Sequence, residues 1–186
     1  MQKENLILSL KLDKLRSLEE ENKRLRRALN IKEEGEADLV CGTILGFYPS
    51  VYRRVVFIDS GKSNNIKKDM LAIDDRGFLV GRILEVYKNY SELVLLNDPY
   101  CSLPVLIEDK TTGFLKGTLS GAPKILYVEN TQGVKSGDVV WVNYLGLPVT
   151  IGEITKVREN KGDFFLDIEV AVSANIYSLR QVFVLK

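Results

Sequence analysis

The side chains that could carry covalent chemistry in this sequence lack the partners that such chemistry needs. The 186 residues include no histidine, which excludes Ser-His-Asp and Cys-His nucleophile arrangements. Ser60 and Lys62 could form a serine/lysine dyad, but in "SGK" at the end of a strand they more often solvate a turn. Asp74 and Asp75 pair two carboxylates within "DDRG", which predicts turn formers on a solvated surface. The sequence therefore predicts no catalytic residue.

Ligand-binding motifs are equally sparse. Cys41 and Cys101 could pair or stay as free thiols, and without histidine they make no plausible zinc site. Neither a GxxxxGK[ST] loop nor a GxGxxG fingerprint occurs, so nucleotide binding lacks its usual means. Lys67, Lys68 and Lys135 could touch RNA as in KOW-type barrels, but the formal net charge is only +1 and gives no electrostatic argument for nucleic acid. We expect no metal, no cofactor and no nucleic-acid partner.

The composition is that of a soluble globular protein. Hydrophobic residues make up 45% and charged residues 27% of the chain, and the length suits one large or two small domains. No apolar run approaches the ~18 residues of a membrane span. No signal peptide is visible at Met1.

The elements that must position these residues are short strands. From Leu39 onward, apolar and aromatic runs alternate with clusters of Gly, Asn, Asp and Pro at intervals of about ten residues, which is typical of a sandwich or barrel. "DDRG" should form a tight hairpin in which Gly77 takes a positive φ. Strands are predicted at 39–46, 54–59, 70–73, 78–86, 92–96, 104–107, 114–118, 124–128, 139–142, 149–157, 164–172 and 181–185.

An internal sequence repeat suggests two related barrels in tandem. Residues 65–86 and 133–157 share an order of parts: a lysine-bearing turn, a strand, a hairpin, and a strand that starts with Gly-x-Ile-x-x-Val. The first residue of that strand, Gly81 or Gly152, is placed where a strand must bend or bulge at a barrel corner. A single continuous barrel with a repeated hairpin is the alternative.

The first residues carry a heptad pattern. A lone Asn in a leucine seam favours a parallel pair in which it meets its own copy, and the flanking charges of the two helices are then of opposite sign. Lys11 interrupts the seam, and an ordinary amphipathic helix that covers a barrel is the alternative. "KEEGEAD" then forms a charged linker with Gly35 as a helix stop. The predicted dimer interface is Leu8, Leu15, Leu18, Asn22, Leu25 and Leu29.

Aromatic residues near turns could either cap a barrel or anchor an interface. We expect most of them to be barrel caps. They are Tyr48, Tyr52, Tyr87, Tyr90, Tyr100, Trp141 and Tyr144.

With this order of parts, the chain resembles the rod shape-determining MreC family. "EENKRLRRALNI" is similar to the family's coiled-coil exit, and "GFLVGRILEVYKNYSELVLLNDPYCSLPVLI" to its most recognisable block. Other similar stretches follow in the same order: 40–70, 111–118, 134–142 and 168–185. The family's glycine-rich segment is reduced here to "VNYLGLP", and Asn65 stands where a turn glycine is usual. Asn tolerates the left-handed geometry best after Gly.

The resemblance implies a non-enzymatic scaffold of the bacterial cell-elongation complex. Such proteins dimerise through the coiled coil at the extracytoplasmic face of the cytoplasmic membrane, which they reach by a transmembrane helix missing from this chain. Partners implied are MreD, the MreB cytoskeleton complex and an elongation-specific penicillin-binding transpeptidase. A periplasmic adaptor-type barrel protein and a two-barrel hydrolase without histidine are the alternatives.

The predicted fold is therefore mostly β, with an N-terminal coiled-coil helix followed by two small tandem β-barrels. The predicted boundaries are 1–34 for the coiled coil and linker, 35–110 for the first barrel and 111–186 for the second. Strands exchanged between the barrels would be compatible with this division.

Overall fold

The structure is a computed structural model. It describes residues 6–14, 16–18, 38–48, 50, 52–129, 133–159 and 164–186. The chain divides into two compact units, Met1–Glu36 and Ala37–Lys186. Each unit is described by itself below.

The N-terminal unit is helical at 6–14 and 16–18. Within the part of the chain that the structure describes, no helix is long and apolar enough to cross a membrane. The predicted stop at Gly35 lies outside the described residues.

Among its described residues, the second unit contains twelve strands, as the spacing of apolar runs and turn residues predicts. A short 3-10 turn, Lys62–Asn64, lies between the second and third strands and ends at Asn65, whose φ of 62° is left-handed as expected. The strands are β1 Leu39–Phe47, β2 Val55–Ile58, β3 Leu71–Ile73, β4 Leu79–Val86, β5 Ser91–Leu95, β6 Ser102–Ile107, β7 Thr111–Lys116, β8 Lys124–Leu126, β9 Val139–Tyr144, β10 Leu147–Arg158, β11 Asp167–Val172 and β12 Gln181–Leu185.

These strands close into two six-stranded barrels. The order around the first is β1-β12-β3-β4-β5-β2, and around the second β10-β11-β8-β7-β6-β9. The boundary predicted at 110/111 differs from the observed one, because it falls between β6 and β7, which pair along their whole length in the second barrel. The last strand, β12, returns to the first barrel. The two predicted barrels are therefore confirmed. They do not follow each other strictly along the chain, because the last strand, β12, belongs to the first barrel.

The two barrels have the same order of paired strands, but the chain enters that order one strand later in the first barrel than in the second. Strand β6 pairs with β7 and β9 in the second barrel, and β12 pairs with β1 and β3 in the first. The remaining pairs correspond in order, with β3-β4-β5-β2-β1 matching β9-β10-β11-β8-β7. The C-terminal strand therefore takes in the first barrel the place that β6 takes in the second.

The internal repeat in the sequence corresponds to equivalent backbone hydrogen bonds in the two barrels. Ile83 N–H donates to Met70 O at 2.8 Å in the first barrel, and Ile154 N–H donates to Asp138 O at 2.9 Å in the second. Register shifts lie directly before Gly81 in β4 and before Gly152 in β10, next to the two glycines where a bend or bulge was predicted. A second shift follows Ile83 in β4 and Ile154 in β10.

Two tight turns take the geometry that their residues allow. The "DDRG" hairpin joins β3 to β4, and Gly77 has a φ of 84°, which confirms the predicted turn. "VNYLGLP" joins β9 to β10 through Leu145 and Gly146, with φ of 53° and 79°. Two successive positive φ values are those of a type I′ turn, whose twist matches that of the strands.

The barrels are joined by apolar contacts. Inward-facing residues such as Ile58, Ile83 and Leu93 fill the first barrel. Their outward-facing neighbours on the same strands, including Leu79 and Val94, belong instead to the core of the second barrel. Residues 79–81 of β4 and 93–95 of β5 are thus buried on both faces of the sheet, which explains why no polar side chain occurs in these short stretches.

Candidate interaction surfaces

The Ser60 hydroxyl serves the structure of the first barrel. Ser60 is 3% exposed, and its Oγ donates to Cys41 O at 3.0 Å. Its backbone oxygen accepts from Ser91 Oγ at 2.7 Å. Lys62 is exposed at the surface. The hydroxyl proton is committed to a carbonyl, so this arrangement does not resemble an activated nucleophile.

The "DDRG" carboxylates differ from each other. Asp75 is exposed as predicted, whereas Asp74 is only 4% exposed, so the prediction of a solvated surface is wrong for Asp74. Its Oδ1 accepts from the backbone N–H groups of Arg76 at 3.0 Å and Phe78 at 2.9 Å, and its Oδ2 accepts from the Arg76 guanidinium. The carboxylate is buried because it closes the turn.

The two cysteines are free thiols in different surroundings. Cys41 is exposed and Cys101 is buried. Burial raises the pKa of the Cys101 thiol to about 12. At neutral pH this thiol is protonated and packs as a small apolar side chain.

A polar cluster at the connection between β5 and β6 joins the barrels. Arg54 donates to the carbonyls of Asn97, Thr118 and Leu119 at 2.9–3.1 Å. The side chain of Asp98 is fully buried and pairs with Arg53 at 3.1 Å. Asp98 lies between the barrels, where its carboxylate also accepts from the backbone N–H groups of Arg54 and Tyr100.

A buried carboxylate closes the turn before β9. Asp138 Oδ2 accepts from Lys110 Nζ at 2.6 Å and from Lys135 N–H at 2.9 Å. Burial acts to raise the pKa of Asp138, but the hydrogen bonds and the positive charge of these lysines outweigh it and hold the pKa below the usual value. In the equivalent turn of the first barrel, Lys67 N–H approaches Met70 Sδ instead.

Most of the singled-out aromatic residues are surface residues, and the expectation of barrel caps is wrong for them. Tyr100 is 72% exposed with Arg53 over its ring. Trp141 and Tyr144 are half-buried, and Trp141 Nε1 donates to Glu108 O at 3.2 Å. The exposed members are Tyr48, Tyr52, Tyr87, Tyr90 and Tyr100.

Four aromatic rings form a first-barrel aromatic patch: Tyr48, Phe57, Tyr87 and Tyr90. Tyr87 and Tyr90 stack with 4.4 Å between ring centroids. Phe57 on β2 lies 6.4 Å from Tyr48 and 6.2 Å from Tyr90. Sequence reasoning missed Phe57, because its outward direction follows from the pairing of β2 with β5.

A second-barrel aromatic row, formed by Phe114, Tyr127 and Phe165, was missed entirely. The ring centroids of Phe114 and Tyr127 are 6.2 Å apart, and those of Tyr127 and Phe165 are 5.7 Å apart. All three side chains are exposed, by 48%, 63% and 47%. The only signal in the sequence was the apolar/polar alternation of β7, which places Phe114 outward between buried Gly113 and Leu115.

The predicted dimer interface is only partly described. Leu8 and Leu18 are helical residues and are 57% and 52% exposed in the single chain. Leu15, Asn22, Leu25 and Leu29 lie outside the described residues.

Comparison with protein families gives one match that covers both barrels. The family model "Rod shape-determining protein MreC, barrel core" matches residues 44–186. The cell shape-determining protein MreC of Bacillus subtilis is 28% identical over 206 aligned positions, which cover 98% of this chain and 71% of that protein. The Haemophilus influenzae protein of the same name is 26% identical over 181 positions, or 92% of this chain and 50% of that protein.

Solved structures with this fold include MreC proteins from three bacteria. The Listeria monocytogenes structure superposes with a TM-score of 0.81 at 23% identity and covers 96% of this chain and 90% of that chain. The Pseudomonas aeruginosa structure gives 0.70 at 22% identity, with 80% and 99% covered. A complex between a penicillin-binding protein, PBP2, and MreC from Helicobacter pylori gives 0.61 at 13% identity, with 81% and 98% covered.

Proposed function

Because this chain belongs to the rod shape-determining MreC family, we propose that it is a non-enzymatic scaffold of the bacterial cell-elongation complex. The observation that carries the proposal is the family match over residues 44–186, which spans both closed barrels. Its relatives are cell shape-determining proteins.

We propose a penicillin-binding transpeptidase as the principal partner, with MreD and the MreB cytoskeleton complex in the same assembly. The complex of PBP2 with a structurally similar MreC protein supports the first of these partners. The barrels offer exposed aromatic groups of the kind that anchor protein interfaces, including Tyr100 and Tyr127. The proposed location is the extracytoplasmic face of the cytoplasmic membrane, where such a transpeptidase acts.

Dimerisation through the N-terminal heptads would present two barrel units together. Exposed Leu8 and Leu18 in the described helix support this arrangement, as does the polar Asn22 in the seam. A helix of ~28 residues is about 40 Å long, which would hold the barrels away from the membrane. Two linked copies also raise the effective concentration at a partner.

The direct test is binding of the purified extracytoplasmic domain of the elongation transpeptidase from the same bacterium. We expect saturable binding with a Kd below about 10 μM that Ser60→Ala leaves unchanged. Absence of binding at that concentration would overturn the proposed partner. Hydrolysis of peptide substrates that disappears in Ser60→Ala would overturn the non-enzymatic role.

A further inference from the structure

A cleft opens in the second barrel where β8 and β11 separate. The last hydrogen bond between these two segments runs from Val170 N–H to Pro123 O at 2.9 Å. Beyond it, the chain that leads into β8 turns away at Gly121, whose φ is 92°. The cleft is lined by residues 121–123 and 170–177. Its volume of about 470 Å³ is within the range of sites that hold small ligands.

One side of the cleft is a short strand edge with unpaired backbone groups. Val172 and Gly152 form a pair without mutual hydrogen bonds, and Val172 directs its N–H and C=O groups to the same side as Val170, toward the cleft. Ser173 N–H, in contrast, donates to Ile151 O at 2.9 Å on the opposite side. Among the described residues, neither backbone group of Val172 has a hydrogen-bond partner. Such an edge accepts an extended peptide as an added strand.

Two hydrogen-bond donors flank a small space beside this edge. A Cβ added at Gly121 would enter that space, 3.8 Å from Tyr177 Oη and 3.9 Å from Arg54 Nη2. Tyr177 Oη accepts from Asn97 Nδ2 at 3.5 Å, so the hydroxyl proton is free for another acceptor. The glycine therefore leaves room for an acceptor atom between a hydroxyl and a guanidinium.

Arg54 carries a positive charge without a carboxylate partner. Its Nη1 donates to two backbone carbonyls and its Nη2 to one, whereas a guanidinium has five N–H donors. In the part of the chain that the structure describes, no carboxylate lies within salt-bridge distance of Arg54. The nearby Asp98 pairs with Arg53 instead. One N–H of Nη2 is thus available to an anionic group.

The other charged groups near the cleft do not change this balance. None of the residues that line it with a free side chain is charged. Arg76 at its margin pairs with Asp74, and charged residues on β8, β10 and β11 pair with one another. Glu153 lies on β10, on the far side of β11 from the strand edge. The guanidinium beside the cleft therefore favours a ligand with a carboxylate.

We propose that this cleft binds the free carboxyl end of an extended L-peptide. The peptide backbone pairs with Val172 as an added strand, and the terminal carboxylate accepts from Arg54 Nη2 and Tyr177 Oη. A lining that includes Ala122 and Pro123 suits small apolar side chains. Pairing with the strand edge requires L residues, so the ligand is the carboxyl terminus of a protein rather than a peptide that ends in D residues. This inference goes beyond the proposed scaffold function.

The test measures binding of a fluorescein-labelled hexapeptide, Gly-Ser-Thr-Val-Ala-Val, to the full chain by fluorescence anisotropy. We expect the free-carboxylate form to bind saturably with a Kd below about 100 μM. Three control peptides should bind at least roughly tenfold more weakly: the carboxyl-terminal amide, the all-D peptide, and a form methylated on its last two amide nitrogens. Absence of binding, or a control peptide that binds as tightly as the parent, would overturn the proposal.

Two variants separate binding from folding. Tyr177→Phe removes one donor from a side chain that is 79% exposed, and should keep the wild-type Tm while weakening binding of the carboxylate peptide by roughly fivefold. Gly121→Asn suits the left-handed backbone and fills the space between the donors, so it should weaken binding by roughly tenfold. Tyr90→Phe on the first barrel is the matched control and should bind like the wild type. Wild-type affinity in Tyr177→Phe or in Gly121→Asn would overturn the proposal.

The outcomes distinguish this inference from the proposed function. A chain that binds the transpeptidase domain but not the carboxylate peptide overturns only the cleft as a binding site. A chain that binds the carboxylate peptide through Tyr177 but does not bind the transpeptidase overturns only the proposed partner.

Discussion

Gly81 and Gly152 occupy the same position in the two barrels. A Cβ on Gly81 would lie 2.1 Å from Val94 O, and one on Gly152 would lie 1.9 Å from Ala171 O. In both cases the neighbouring strand crosses the glycine so closely that only a hydrogen fits. This shared close approach is the physical reason for the repeated Gly-x-Ile-x-x-Val pattern.

Substitution of either glycine should therefore destabilise its barrel. Gly81→Ala and Gly152→Ala force a backbone carbonyl to move, and we expect each to lower the free energy of unfolding by about 3 kcal/mol. Denaturant unfolding measures the loss. Gly46→Ala, where no atom lies within 4 Å of the added Cβ, is the matched control and should change little. Wild-type stability in both test variants would contradict the claim that close approach of the neighbouring strand requires glycine at these two positions.

The buried carboxylate between the barrels should be essential to their connection. Asp98→Ala leaves Arg53 and the backbone N–H groups of Arg54 and Tyr100 without their acceptor. We expect a loss of about 3–5 kcal/mol in the free energy of unfolding. Asp75→Ala, an exposed carboxylate in a turn, should stay within about 0.5 kcal/mol of the wild type. Similar losses in both variants would show that burial of Asp98 is not the cause.

The turn at Asp138 should make stability depend on pH in the acidic range. Its pKa is lower in the folded state than in the unfolded chain, so its stabilising effect is complete above the unfolded-state pKa of about 3.9 and is lost as pH falls through the folded-state pKa. We expect Asp138→Asn to be less stable than the wild type at pH 7.

Thermal unfolding at a series of pH values tests the Asp138 prediction. The difference in Tm between wild type and Asp138→Asn should shrink as pH falls below about 4. A difference that stays constant from pH 7 down to the acidic limit would show that charge on Asp138 is not responsible.

The two thiols should differ in reactivity. Because the pKa of Cys101 is raised to about 12 by burial, native protein treated with iodoacetamide at neutral pH should be alkylated at exposed Cys41 alone. Peptide mass spectrometry identifies the modified residue, and Cys41→Ser should remain unmodified until the protein is unfolded. Rapid native alkylation of Cys101 would contradict the packing between the barrels.

Local sequence patterns predicted the strands well because barrel strands leave a local signal. The run predicted at 39–46 is observed as Leu39–Phe47, and the last strand is found at the predicted 181–185. The return of β12 to the first barrel could not be predicted, since strand partners are chosen by contacts distant in sequence. The boundary at 110/111 differed for the same reason.

The surfaces were harder to predict than the strands. Phe114, Tyr127 and Phe165 are far apart in sequence and form a row only through the pairing of β7, β8 and β11. Asp98 looks like a surface residue until the backbone N–H groups around it are known. The types of these residues were visible in the sequence, but their neighbours in the fold were not.

The most direct test of the scaffold account is the solution mass of the chain, measured by light scattering across a concentration series. We predict a mass that approaches twice that of the chain and that Leu18→Lys/Leu25→Lys reduces to the monomer, because lysines in the seam repel each other. Ser17→Lys/Glu20→Lys, on the outer face of the same heptads, should remain dimeric. A wild-type monomer at every concentration, or a dimer unaffected by the seam substitutions, would contradict the account.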